Sequence, residues 1–187
     1  MKGKRILDVG CGHGYIFEFC RSVGADAVGI DIQWKELKVP HRGYFIVGDA
    51  QNLPLRDKSF DAIIAFELVE HLHNPEKSLE EFYRCLREGG MLLLTTPTPK
   101  SPFANYIGHV SVREREFWIN KLKQLGFNVK LVTYRYPLNL KLPSIITRIL
   151  ELLVGIWKRY VNVTSTKLIA IKERANKSNH HEHLNNI

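Results

Sequence analysis

One stretch near the amino terminus constrains the fold most strongly. It is an apolar run over residues 6–9 followed by three glycines at alternate positions, Gly10, Gly12 and Gly14. Helix-compatible residues come next, so the pattern predicts a buried strand, a tight turn and the start of a helix. Glycine lets a ligand approach the backbone closely, and the free N–H groups of a helix start face the same crevice. Asp8, at the tip of the strand, adds a carboxylate to this crevice.

The obvious competing interpretation is a dinucleotide-binding turn, whose fingerprint is G-x-G-x-x-G. In this chain the glycines follow the register G-x-G-x-G, and Tyr15 occupies the position of the third fingerprint glycine. A nicotinamide-binding site is therefore excluded at the position that would define it.

A second acidic residue follows the next predicted strand. Residues 27–30 are apolar or small, and Asp31 stands at their end, 17 residues after Gly14. That spacing is close to the one at which an acidic side chain meets a ribose in doubly wound folds. A carboxylate there can accept hydrogen bonds from both ribose hydroxyls. A helix N-cap before Gln33 is a compatible alternative role.

The whole chain alternates between strand and helix patterns. The predicted strands are 6–9, 27–30, 44–47, 60–65, 91–95, 127–134 and 165–171, and the predicted helices are 14–22, 75–87 and 111–125. Such alternation predicts an α/β fold with a mostly parallel sheet that helices cover on both faces. Ligands of these sheets lie beyond the carboxyl ends of the strands, which is where the marked residues fall. These residues are Asp8, Asp31, Asp49, Phe66 and Glu67.

Length and composition fit one globular domain. The chain has 187 residues, of which 44% are hydrophobic and 25% charged, which is ordinary for a soluble protein. Its first five residues lead directly into the first strand and show no signal-peptide pattern. With three cysteines and no C-x-x-C pair, we expect a cytoplasmic protein with reduced thiols. We expect the domain to span 1–175 and the polar tail, 176–187, to be disordered.

The net charge of +8 is concentrated toward the carboxyl terminus. Residues 137–187 hold eight Lys or Arg against three acids, which gives +5 and leaves +3 for residues 1–136. A basic region of this kind suits an anionic membrane or RNA, and it is equally typical of ordinary solubility charge.

Several short motifs, in order and correctly spaced, resemble a known family. They are Leu7–Gly14, Gly29–Asp31, Gly48–Ala50 with Leu53-Pro54, Ser59–Asp61, Glu70–Leu72, Asn74-Pro75 and Leu86–Gly90. Together they resemble the class I S-adenosylmethionine-dependent methyltransferases, of the type that includes ubiquinone and menaquinone pathway enzymes. The resemblance implies a Rossmann-like, doubly wound sheet of seven strands, mostly parallel with an antiparallel last strand. It also implies S-adenosyl-L-methionine as cofactor and S-adenosyl-L-homocysteine as product, and we expect a small, lipophilic methyl acceptor.

The resemblance assigns the cofactor contacts to residues at the strand ends. Those at the methionine end would be Asp8, Gly10, Cys11, Gly12, Gly14, Phe66 and Glu67. Asp31 would hold the ribose hydroxyls, while Ile32, Asp49 and Ala50 would surround the adenine. For Ile32 and Phe66, a place in the hydrophobic core is an alternative.

A cluster of acids and histidines is the candidate for catalysis or metal binding. Glu67, Glu70 and His71 would share one face if their segment is helical, and His109 follows later. E-x-x-E-H resembles the metal-binding segment of quinone-pathway O-methyltransferases and of small-RNA 3′-end 2′-O-methyltransferases, where a distal histidine completes the set. For a hydroxyl acceptor, Glu67, His71 or His109 would act as a base, or a divalent metal would lower the pKa of the hydroxyl. Glu70 and His71 are also common in the wider family without metal.

Residues 137–164 separate the sixth and seventh predicted strands, where the family usually has a short hairpin. Apolar residues at helical spacing predict an amphipathic helix over 143–160. It would be a lid, a dimer surface, a peripheral membrane anchor or a helix packed on the sheet, and the oligomeric state stays open. Two other functions remain as alternatives: a metal-assisted RNA 2′-O-methyltransferase and a non-catalytic cofactor-binding subunit.

Overall fold

Seven strands form one sheet in the computed structural model, which describes residues 2–33, 35, 38, 44–132 and 165–174. The strands are β1 (Arg5–Val9), β2 (Asp26–Asp31), β3 (Phe45–Val47), β4 (Phe60–Phe66), β5 (Leu86–Pro97), β6 (Phe127–Leu131) and β7 (Ser165–Lys172). The α-helices are α1 (Tyr15–Ser22), α2 (Pro75–Cys85) and α3 (Arg115–Gln124), and a short 3-10 helix covers Val69–His71.

The strand order across the sheet is β3-β2-β1-β4-β5-β7-β6. The pairs β2–β3, β1–β2, β1–β4 and β4–β5 are parallel, whereas β7 runs antiparallel to both β5 and β6. The predicted sheet of seven strands, mostly parallel with an antiparallel last strand, is therefore confirmed. Because β1, β2, β3 and β4 are parallel, their carboxyl ends meet at one edge of the sheet.

Helices cover both faces of the sheet, as predicted. On one face, α1 buries Phe17 and Cys20 in a cluster that also contains Ile64 of the central strand β4. On the other face, the buried side chains of α2 and α3 join a larger cluster that includes Phe82 and Trp118. Removing these apolar side chains from water is the main force that holds the helices on the sheet.

The end of α2 differs from the prediction. Residues 75–87 were expected to be helical, but α2 ends at Cys85, and Leu86 has extended backbone angles and pairs with Phe60. The next pair across β4 and β5 is Ala62 with Met91, so residues 87–90 form a bulge inside a long strand. The prediction that the Gly89-Gly90 pair ends the helix was therefore wrong, because strand pairing with β4 begins before those glycines.

The start of α3 is also later than predicted. Residues 111–114 were expected to be helical, but Arg115 is the first residue of α3. The backbone N–H of Ser111 donates to the carbonyl of Glu70, at 2.9 Å, and Glu114 is extended. This tertiary hydrogen bond takes the place of the first helical turn.

Some predictions fall outside the described residues. The segment 137–164, its helix over 143–160 and the tail 176–187 lie there, as does the end of the sixth predicted strand at Tyr134. Within the described ranges, none of the helices has the length and apolar character needed to cross a membrane.

The contact between α1 and β2 leaves no room for a side chain at Gly29. A Cβ there would collide with the ring of Phe17 and come within 2.8 Å of the Cys11 sulfur. We expect Gly29→Ala to lower the free energy of unfolding by about 1–3 kcal/mol, because both neighbours are buried and must move. Denaturant unfolding measures this loss. The double variant, Phe17→Leu with Gly29→Ala, should lose less free energy of unfolding than the two single variants lose together. Strict additivity of the two losses would contradict the proposed collision.

Candidate functional site

A cleft of about 400 Å³ opens at the carboxyl edge of the sheet. Its walls come from the ends of β1, β2 and β4, from the segment after β3 and from the 3-10 helix. The lining residues are Val9, Gly10, Ile30, Asp31, Ile32, Gly48, Asp49, Ala50, Gln51, Glu67, Leu68, His71, Leu72 and His73. Of the predicted cofactor residues, the cleft brings together Gly10, Asp31, Ile32, Asp49, Ala50 and Glu67.

The glycine turn is fastened to the tip of β2. The backbone N–H groups of Gly10 and Cys11 both donate to the carbonyl of Ile30, at 2.8 and 3.2 Å. The N–H of Gly12 donates to Oδ2 of Asp31 at 2.9 Å. Gly10 has a φ of 70°, and a Cβ there would lie 2.7 Å from the Leu68 side chain. The turn therefore requires glycine at this position both for its backbone angle and for its packing.

Asp31 lies at the junction of the turn and the cleft. Besides accepting from Gly12, its carboxylate accepts from the N–H of Gln33 through Oδ1, at 3.0 Å. The second bond is the local turn that the N-cap interpretation expected, and it coexists with a place in the cleft lining. Ile32 is 66% exposed beside it, so the alternative that Ile32 belongs to the core is wrong.

Asp49 is held in the opposite wall of the cleft. Its Oδ1 accepts from the backbone N–H of Gln51 at 2.8 Å, and the side-chain amide of Gln51 lies 3.3 Å away. The oxygen of the same side-chain amide, Oε1, accepts from the N–H of Asn74 at 3.0 Å, which ties this loop to the start of α2. Gln51 was missed by the sequence analysis. An Asp two residues before a Gln indicates a local turn, but the link from Gln51 to Asn74 has no signal in the sequence.

Asp8 lies behind the cleft rather than in its lining. The side chain is only 3% exposed, and its Oδ2 accepts from the N–H of Phe17 at 3.1 Å, in the first turn of α1. Burial raises the pKa of the Asp8 carboxyl to about 7, although the bond from Phe17 opposes the shift. Asp8 thus fixes the helix start that follows the glycine turn.

Four other predicted cofactor residues also lie outside the cleft lining: Cys11, Gly12, Gly14 and Phe66. The Cys11 thiol is buried in the core under α1, and burial raises its pKa. Gly14 precedes α1 with a φ of 84° and donates to the carbonyl of Cys11. Phe66 packs against the same core cluster, as its alternative role proposed.

Three of the four predicted metal ligands come together. Glu70, His71 and His109 each offer one ligand atom, and these atoms all lie within 4.8 Å of one another. Glu67 is not part of this group. The expectation that Glu67 shares a helical face with the others was wrong, because Glu67 has a φ of 48° and precedes the 3-10 helix.

The donor atoms of this group are arranged for a ligand. Among the residues that the structure describes, neither carboxylate oxygen of Glu70 nor Nδ1 of His109 has a hydrogen-bond partner, although all three atoms are buried. Nδ1 of His71 lies 3.0 Å from the carbonyl of Gly108 and donates to it, so Nε2 is left as an acceptor. Histidines that bind metal typically make such a bond with the second nitrogen.

Burial and mutual repulsion dominate the electrostatics of the group. Burial, together with the charge of Glu67, raises the pKa of Glu70. Burial also raises the pKa of Glu67, while Thr95 and the nearby Lys167 oppose that shift. For His109, burial and the neighbouring His71 lower the pKa, which favours a neutral imidazole. One buried carboxyl group and two imidazole rings are a donor set that fits a divalent cation.

Comparison with known proteins identifies the kind of domain. A family model described as a methyltransferase domain matches residues 7–94. The ubiquinone biosynthesis O-methyltransferase of Dechloromonas aromatica is 34% identical over 122 residues, which cover 58% of this chain and 51% of the relative. The fatty-acid O-methyltransferase of Mycolicibacterium smegmatis is 36% identical over 110 residues, covering 54% of this chain and 39% of that protein. The chain spans about half the length of the curated relatives it matches, or less.

Solved structures agree on the fold. A SAM-dependent methyltransferase from Archaeoglobus fulgidus superposes with a TM-score of 0.67 at 23% identity, covering 91% of this chain and 86% of that structure. The sheet order and the cleft at its carboxyl edge thus define a Rossmann-like cofactor-binding domain. More particularly, the match over residues 7–94 and these relatives support a class I S-adenosylmethionine-dependent methyltransferase domain in this part of the chain, a kind of domain whose cofactor is S-adenosyl-L-methionine.

The buried Asp8 makes stability depend on pH. Its pKa is about 7 in the folded protein against an ordinary 3.8, so between these values the fold holds a proton that the unfolded chain releases. Stability contributed by this group is therefore lost as pH rises from about 4 to about 7. We expect Asp8→Asn, which keeps an acceptor for Phe17, to gain stability relative to wild type over that range, by up to about 1.4 kcal/mol per pH unit.

Denaturant unfolding at several pH values measures this difference. Asp26→Asn controls for the general loss of a carboxylate, because Asp26 is exposed at the other end of β2. A stability difference between Asp8→Asn and wild type that stays constant across the range would contradict the assignment.

Proposed function

We propose that this protein transfers the methyl group of S-adenosyl-L-methionine to a small, lipophilic acceptor. The observation that carries the proposal is the cleft itself, in which a glycine turn and two backbone-anchored carboxylates, Asp31 and Asp49, line one space of about 400 Å³. A nucleoside offers ribose hydroxyls and an exocyclic amine, which are the donors that two such carboxylates would accept.

Each end of the cofactor has a candidate partner. Asp31 would accept from the ribose hydroxyls, and Asp49 from the adenine amine beside the exposed Ile32. The methionine end would lie along Gly10 toward Glu67, with Asp8 behind the turn. These assignments place the sulfonium methyl near Leu68 and His71, which line the same cleft.

The chemistry is a single displacement. A lone pair of the acceptor forms a bond to the methyl carbon, the bond from that carbon to sulfur breaks, and S-adenosyl-L-homocysteine leaves with the electron pair. The sulfonium methyl is already activated, so the protein has mainly to align the two reactants and exclude water. A hydroxyl acceptor must also lose its proton, and Nε2 of His71 is an available acceptor because Nδ1 donates to Gly108.

Relatives support the chemical class of the acceptor. The two curated relatives described above are named for ubiquinone biosynthesis and for fatty acids. Both names indicate O-methylation of lipophilic molecules. In this chain the apolar side chains of Leu68 and Leu72 line the cleft together with His71, which suits an apolar acceptor.

We also propose that the group of Glu70, His71 and His109 holds a divalent cation, which the buried donor atoms of Glu70 and His109 without hydrogen-bond partners support. A cation held there would lower the pKa of a hydroxyl acceptor, which is the chemistry that O-methylation needs. The same group is the observation that favours the second candidate, a metal-assisted RNA 2′-O-methyltransferase. RNA binding would fall steeply with salt concentration, whereas binding of a lipophilic acceptor would not.

Removal of Asp31 tests the cofactor site. We expect Asp31→Ala to weaken binding of S-adenosyl-L-homocysteine by about 1–3 kcal/mol, because two ligand hydroxyls lose their acceptor. Calorimetric titration measures the change. Asp26→Ala is the matched control, since Asp26 lies at the opposite end of the same strand, far from the cleft lining. Unchanged affinity in Asp31→Ala would remove this residue from the site, and no binding by the folded wild type would overturn the proposed function.

Removal of a histidine tests the metal site. Mutation of a residue that only orients a metal-binding side chain already changes metal affinity about 10–100-fold. Because His109 would bind the metal itself, His109→Ala should weaken Mn²⁺ binding at least as much. Titration followed by electron paramagnetic resonance measures bound Mn²⁺ without any turnover. His73→Ala is the control, because His73 lines the cleft but is not in the three-residue group. Equal Mn²⁺ binding by wild type and His109→Ala would contradict a metal at this place.

A further inference from the structure

A surface loop beside the cleft exposes several large apolar side chains. We call residues 99–110, which follow β5, the rim loop. Within it Phe103 is 52% exposed, Tyr106 64%, Ile107 93% and Val110 47%. Single exposed apolar side chains are ordinary on protein surfaces, whereas a concentration of four within residues 103–110 marks an interaction surface.

The exposure is fixed by the backbone of the rim loop. Its far end is anchored where the N–H groups of Val110 and Ser111 both donate to the carbonyl of Glu70, at 2.8 and 2.9 Å. Its middle is held by the bond from His71 Nδ1 to the carbonyl of Gly108. Successive turns join these anchors, including Tyr106 N–H to the carbonyl of Phe103 and His109 N–H to that of Tyr106, both at 3.0 Å. The apolar side chains are therefore presented by an ordered segment.

Charge indicates what the rim loop meets. Residues 96–113 contain Lys100 and Arg113, both exposed, and no Asp or Glu. The chain as a whole carries a net charge of +8. Exposed aromatic and aliphatic side chains flanked by cations, without acids, are the combination that binds the interface of an anionic lipid bilayer.

We propose that the rim loop docks on an anionic membrane surface. Phe103, Tyr106 and Ile107 enter the headgroup region, while Lys100 and Arg113 meet lipid phosphates. The cleft then opens beside the membrane, because His71 both lines the cleft and holds Gly108 of the loop. A lipophilic acceptor reaches the cleft from the bilayer without crossing water. Membrane docking itself does not depend on methyl transfer.

Vesicle co-sedimentation of the full chain tests the proposal. Vesicles of phosphatidylcholine with about one third phosphatidylglycerol should bind the protein, and pure phosphatidylcholine should bind it far less. Replacing both Phe103 and Ile107 with Ser should weaken binding about tenfold or more, because two large apolar groups no longer leave water. Lys100→Gln should weaken it about fivefold, the effect of one cation at such a surface.

Matched controls use the amino edge of the sheet. Val23 is 43% exposed there, so Val23→Ser is the control for Val110→Ser. In the same way, Lys2→Gln is the control for Lys100→Gln. The control variants should bind vesicles like wild type. Asp31→Ala should also bind them normally, so that failure of the cofactor site and failure of membrane docking are distinguished.

Three outcomes would overturn the proposal. If the replacement of Phe103 and Ile107 leaves vesicle binding unchanged, that binding is due to charge elsewhere on the chain. A marked loss of thermal stability in Ile107→Ser would show that another part of the chain covers the loop. Absence of binding to anionic vesicles would also overturn it, and would leave a protein partner as the occupant of this surface.

Discussion

The attachment of the glycine turn to the tip of β2 is the constraint on which the site depends. Gly10 and Cys11 donate to the carbonyl of Ile30, and Gly12 donates to the carboxylate of Asp31. These bonds fix the end of β1 relative to β2, so the backbone of the turn and the Asp31 side chain face one space. The register between the two strands, in which Val9 pairs with Ile30, brings both tips to the same height. A cleft at this point follows from parallel pairing and from the alternate glycines of the turn.

The same edge of the molecule concentrates carboxyl groups that are costly to bury. Asp8 has a pKa of about 7 behind the turn, and burial also raises the pKa of Glu70. A buried acid whose charge is not fully compensated by hydrogen bonds or opposite charges lowers folding stability. Such acids are typical of sites where a bound ligand offsets this penalty. A positively charged ligand would favour the ionised form of such groups. The arrangement fits a site that binds a sulfonium and an ammonium, and that can hold a cation at Glu70.

Much of the fold could be predicted because it follows from local patterns. Apolar runs that end in glycine or aspartate located β1, β2 and β3, and alternation with helices predicted the mostly parallel sheet and its covered faces. The errors occurred where tertiary pairing overrides local preference. Leu86 leaves the helical pattern of α2 because it pairs with Phe60, and Ser111 leaves that of α3 because it bonds to Glu70. Neither partner is near in sequence, so no local rule could have located these ends.

The sequence likewise predicted the positions of some candidate site residues and not of others. Residues whose position follows from a strand end, such as Asp31 and Asp49, line the cleft as expected, whereas Phe66 alternates to the opposite face and packs in the core. Along a strand, neighbouring side chains face opposite sides, so only one of two adjacent residues can face a given cleft wall. Glu67 shows the reverse effect. Its positive φ turns the chain out of β4, so Glu67 lines the cleft without joining the group of Glu70, His71 and His109, although its charge still acts on Glu70. A backbone angle that the sequence does not reveal thus determines how Glu67 leaves the strand and joins the cleft lining.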